Sequence, residues 1–113
     1  MTGDRLPGAP AIARVWRGAT SRDNATAYQQ HLRTDTLPGL ERLDGYRGAY
    51  VIRRELADEV EFVVVTLWDS IDAMRGFVEA DYRVAVIPAE ARRLLSAFDE
   101  MATHYDVAVA RLP

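Results

Sequence analysis

The chain has 113 residues, 49% of them hydrophobic, a formal net charge of −3 and no cysteine. That length suits one domain with its own core, small enough to gain from burying more surface against a partner. Without thiols there is no disulfide framework, thiolate nucleophile or cysteine-ligated metal, and a net negative chain with scattered basic residues gives no reason to expect a nucleic-acid partner.

All 14 basic residues are arginine, a bias read as GC-rich coding rather than as a binding device. No segment approaches the roughly 20 apolar residues of a membrane span. The opening MTGDRLPGAP is rich in Gly and Pro and lacks the apolar run of a signal peptide. Residues 1–10 are therefore expected to be a flexible tail before a domain over 11–113, in a cytoplasmic protein that meets neither membrane nor nucleic acid.

The stretch AIARVWR, from Ala11 to Arg17, alternates as a first strand ending at Gly18. Ser21 and Asp23 open a helix in which Ala25, Tyr28 and Leu32 share one face, and Pro38–Gly39 is expected to break it, leaving a short helical tail over Leu40 to Leu43. YRGAYVIRRE (46–55) and VEFVVVTLW (60–68) are rich in β-branched and aromatic residues, and LADE between them suits a hairpin loop. DSIDAMRGFVEA follows as a helix with Ile71, Met74, Phe77 and Val78 on its apolar face and Asp69 or Ser70 as cap. A further helix is expected from Pro88, burying Ala91, Leu94, Leu95 and Phe98. ATHYDVAV (102–109) alternates again and is the last strand.

The order βαββαβ predicts a ferredoxin-like α+β fold, one antiparallel sheet of order 4-1-3-2 with helices on one face. Three of the four strands carry sizeable apolar residues on both faces, so the uncovered face calls for a second copy packed sheet to sheet, a symmetric homodimer.

Together IARVWRG, LPGLERLDGYRG, VVVTLWDSIDAMRGF and the closing HYDV resemble the antibiotic biosynthesis monooxygenase family over nearly the whole chain after residue 10. The resemblance implies a dimeric α+β barrel. It also admits several activities: oxygenation of polycyclic aromatics without a cofactor, haem degradation, or none assigned. The haem-degrading members carry an asparagine in the first strand, a tryptophan in the helix after the third strand and, further on, an iron-ligating histidine. Here the first strand has no asparagine, the helix position is Phe77, and Ile87 stands where the histidine would be. Haem is accordingly not expected, nor any metal or flavin.

The activity so implied is cofactor-independent oxygenation of a small aromatic or polyketide-like molecule. A phenol or enol reduces dioxygen more readily once deprotonated, and histidine suits the base. In the expected sheet His104 lies beside Trp16, with Arg14 and Asp106 a step further along. His104, Arg14 and Asp106 are thus the catalytic candidates: base, anion stabiliser and partner. Trp16, Tyr28, His31, Trp68, Phe77, Tyr82 and Arg83 are the substrate-binding candidates, Tyr82 and Arg83 lying in a segment over the pocket that ends at Pro88. Competing readings stay open. His104 and Asp106 also suit hydrogen bonding across a dimer or to water, Tyr28 and Trp68 suit core packing, and Asp69, Ser70 and Asp72 suit helix capping. The domain as a whole also fits a non-catalytic ligand-binding or dimerisation module, or a cyclase or isomerase using the same pocket.

Overall fold

Strict alternation of side chains organises the sheet. In a computed structural model, which describes residues 9–75 and 82–111, strand β3 (Glu59–Trp68) buries Val60, Phe62, Val64, Thr66 and Trp68 and leaves the residues between them half-buried. Its neighbour β1 (Ile12–Ser21) buries Arg14, Trp16, Gly18 and Thr20 in the same rhythm. The two pair antiparallel without a shift, from Ile12 opposite Trp68 to Ser21 opposite Glu59. Opposed residues in such a pair point to the same side, so one face of two strands becomes the floor of the core.

β2 (Tyr46–Glu55) pairs with the other edge of β3 in a hairpin. On the free edge of β1 lie two short strands, β4 (Leu95–Phe98) opposite Gly18–Thr20 and β5 (Thr103–Asp106) opposite Ile12–Val15. The sheet is therefore the expected ferredoxin-like 4-1-3-2 arrangement, with its last strand split in two.

That split corrects one expectation. Leu94, Leu95 and Phe98 do not continue a helix from Pro88: helix α4 stops after Ala89–Arg92, and Leu95–Phe98 is strand. A short apolar run such as LLSAF reads equally as helix or strand. What decides it is the edge of β1, which is longer than the expected Ala11–Arg17 and whose Gly18–Thr20 end needs backbone partners that β5 cannot reach.

A second correction concerns Pro38. The helical path does not break there: α1 (Ala25–His31) passes through a π-helical turn (Leu32–Thr36) into α2 (Leu37–Leu40). The wide turn is closed by the Leu37 N–H donating to the Leu32 carbonyl. It resets the hydrogen-bond ladder so that Pro38 falls in the first turn of α2, where a missing N–H costs nothing. The path packs on the buried face of the sheet through Tyr28, which meets Phe62 edge-on at 5.0 Å, and through Leu32. A second cluster at the other end gathers Leu40, Trp68 and Met74. Helix α3 (Ile71–Met74) is capped by Ser70, whose hydroxyl accepts from the Ala73 N–H at 3.1 Å. Phe77 and most of the expected tail, residues 1–8, lie outside the described residues, and no described helix is long and apolar enough to cross a membrane.

Gly45 turns the chain into β2 at φ +86, and a Cβ there would meet the Ala73 Cβ at 2.5 Å. Left-handed strain and overlap act together, so Gly45→Ala should cost about 2–4 kcal/mol in urea unfolding. Near the same corner Arg47 grips Asp69 with two hydrogen bonds of 2.6 and 2.8 Å, which hold the Asp69 carboxyl below its usual 3.8. A depressed carboxyl stabilises the fold above its unfolded value and loses that contribution as pH falls below it. The melting-temperature gap between wild type and Arg47→Gln should therefore be present at neutral pH and close as the pH drops below about 3.8.

Candidate active-site cleft

Between the helical path and the sheet lies a cleft with a cavity volume of about 50 Å³. Arg14, Trp16, Val64 and Thr66 form its floor, Tyr28, His31, Leu32 and Thr36 its roof, and Val86, Ile87, Pro88 and Ala91 its side wall. The wall segment is fastened to the connection between β4 and β5. The Ala85 N–H donates to the Glu100 carbonyl at 2.9 Å, the Ala102 N–H donates to the Arg83 carbonyl at 2.7 Å, and Val84 bridges Met101.

Two floor residues are held by the same segments. Trp16 is 7% exposed, and its indole N–H donates to the Asp99 carbonyl at 2.7 Å. Its ring lies along the strand over Gly18, where a Cβ would sit 2.6 Å from the ring. Glycine is what lets the indole lie flat there. Arg14 is 5% exposed and donates to the Val84 carbonyl at 2.9 Å. Burial pulls its pKa down to about 10, which leaves it a cation at neutral pH in an otherwise largely apolar cleft. In the roof, burial pushes the Tyr28 hydroxyl well above the usual tyrosine value, so it stays neutral.

His31 ends α1 with its side chain 9% exposed, and its Nδ1 lies 3.2 Å from the Asp35 carboxylate one turn on. Its Nε2 is buried and has no hydrogen-bond partner among the described residues.

The site expected from sequence is thus brought together in part. Arg14, Trp16, Tyr28 and His31 converge on the cleft. His104 stands on the same sheet face but opposite Arg14 rather than beside Trp16, because β5 ends at Thr103 opposite Val15. It is half-buried, meets the Tyr82 ring edge-on at 5.0 Å, and is not part of the cleft lining. Asp106 is exposed opposite Ile12, and Arg83 is exposed in the wall segment. Trp68 is fully buried in the second cluster, its indole N–H donating to the Thr66 hydroxyl at 2.8 Å. Asp35 was missed, although its spacing of four from His31 puts the two on one helix face. Thr36 and Thr66 carry no comparable signal.

The family model for antibiotic biosynthesis monooxygenases matches residues 12–89, and the chain belongs to that family. Among solved structures, a candidate antibiotic biosynthesis monooxygenase from Bacillus cereus superposes with a TM-score of 0.65 at 12% identity, over 92% of this chain and 99% of that one. The ActVA-Orf6 monooxygenase of Streptomyces coelicolor, in complex with nanaomycin D, superposes with a TM-score of 0.59 at 18% identity, over 99% of each chain. No curated protein matches the sequence.

Arg14 ties floor to wall, so Arg14→Met should loosen the segment around Val84 without unfolding the sheet. Hydrogen exchange at the Ala85 and Ala102 amides should quicken by about tenfold or more, while the amides of β3 keep their protection.

Proposed function

We propose that the protein is a monooxygenase that works without a bound cofactor on a small aromatic or polyketide-like phenol or enol, held in the cleft between helices and sheet. The observation that carries this reading is the buried Arg14 cation on the same cleft floor as Trp16, in a largely apolar cleft with a histidine in its roof. That a family-fold structure holds nanaomycin D supports the choice of ligand class.

The chemistry rests on what such a site does to a phenol. Loss of the hydroxyl proton to a histidine raises the ring's electron density. Arg14 stabilises the resulting oxyanion in a poorly hydrated environment, where a fixed cation acts most strongly. The phenolate passes one electron to dioxygen, the radical pair recombines through a new C–O bond, and loss of water leaves a quinone. One phenol and one dioxygen yield one quinone and one water. A cavity of about 50 Å³ suits dioxygen or water.

The working unit in this reading is a homodimer. The sheet face away from the helices carries Tyr50, Ile52 and Tyr105, each more than half exposed, next to Val15, Val63 and Val65. A second copy packed on that face would cover a patch that a monomer would leave in water.

An oxygen electrode tests the reaction with a panel of one- to three-ring phenols. Oxygen uptake should match quinone formation, and Arg14→Gln should lower kcat about a hundredfold. Tight binding with no oxygen uptake would instead favour the ligand-binding module. Sedimentation should return a dimer for the wild type and a monomer for Ile52→Lys.

A further inference from the structure

We infer that His31, backed by Asp35, is the proton acceptor of the cleft and selects ligands that carry an ionisable phenolic or enolic hydroxyl. This rests on the cleft being the ligand site proposed above.

Both histidines sit on the helix-facing side of the sheet, but only His31 borders the void. Its geometry sorts its two nitrogens. With the Asp35 carboxylate 3.2 Å from Nδ1, the ring proton of the neutral imidazole belongs on Nδ1, and the lone pair is left on Nε2. That Nε2 is buried and has no partner among the described residues. A buried acceptor left in this way is destabilising, and a ligand hydroxyl is the group that would satisfy it.

The proton then moves simply: the ligand O–H bond breaks, an N–H bond forms at Nε2, and the electron pair stays on the ligand oxygen. The charges on each side favour that transfer. Asp35 from the π-helical turn and Glu90 from α4 bring carboxylates whose oxygens lie within 4.8 Å of the imidazole nitrogen and of each other, and they stabilise an imidazolium. Arg14 in the floor stabilises the new oxyanion. Tyr28, the remaining titratable group in the lining among the described residues, stays neutral.

Two readouts test this separately from oxygenation. Anaerobic binding of 4-nitrophenol should raise the bound phenolate fraction above that of the free ligand at the same pH. His31→Gln should abolish that excess and weaken binding about tenfold or more, and His104→Gln should leave both unchanged. Asp35 is exposed, so Asp35→Asn should fold. Without its carboxylate the ring proton is no longer fixed on Nδ1, and the phenolate excess should shrink. If the wild type consumes oxygen and His31→Gln keeps its rate and pH profile, the inference fails while the oxygenase reading stands. If no oxygen is consumed but the phenolate excess appears and depends on His31, the inference stands and the oxygenase reading fails. A requirement for a divalent cation, abolished by EDTA and by Glu90→Gln as much as by His31→Gln, would overturn it in favour of a metal held by His31, Asp35 and Glu90.

Discussion

The unshifted pairing of β1 with β3 is the constraint on which the rest of the molecule depends. It puts Arg14 opposite Thr66 and Trp16 opposite Val64, so a cation and an indole share the floor with aliphatic and hydroxyl neighbours. Strand periodicity is two, and a slip of one residue would turn the floor residues of the slipped strand outward, bringing Val15 and Arg17 under the helices if β1 slips or Val63 and Val65 if β3 does. Arg17 would then be buried without the Val84 carbonyl that Arg14 has. Hydrophobic content does not separate the two registers well, since both faces of β3 are apolar. The separation comes from the ends, where Phe62 and Trp68 need full burial and Glu59 and Glu61 resist it.

The same strand explains why the last edge is split. β4 and β5 each match part of β1, and the chain leaves the sheet between them at the level of Trp16. The residues that leave do not waste their backbone groups. Asp99 takes the Trp16 N–H, while Glu100 and Ala102 pair with the wall segment that also accepts from Arg14. An interruption of the edge thus holds both floor side chains and ties the wall to the sheet.

The chain's own pattern carried the sheet order, the hairpin, the Ser70 cap and the common face of Arg14 and Trp16, because β-branched runs and period-two alternation are local signals. What it did not carry depends on distant partners. LLSAF became strand because β1 had an unpaired end, and Pro38 stayed helical because a π turn preceded it. His104 was the natural base to choose when histidines are scarce and the last strand closes the sheet. Its place depended on the register of β5, a two-residue question that alternation cannot answer, since a shift of two keeps every side chain on its face. His31 and Asp35 were legible as a helix-face pair, but only the packing of α1 shows that His31 borders a void.

That packing and the π turn are linked. A π turn carries more residues per turn than an α-helix and rotates the later helical residues relative to the earlier ones. Here Tyr28 and His31 from α1, Leu32 and Thr36 from the turn and Leu40 from α2 all border the cleft, and Leu40 also enters the second cluster. An uninterrupted α-helix would put the Pro38 ring against a carbonyl of the preceding turn. The wide turn removes that clash and keeps the Asp35 carboxylate 3.2 Å from the His31 Nδ1. The turn that lets a proline continue this helix thus also carries the carboxylate that meets the histidine.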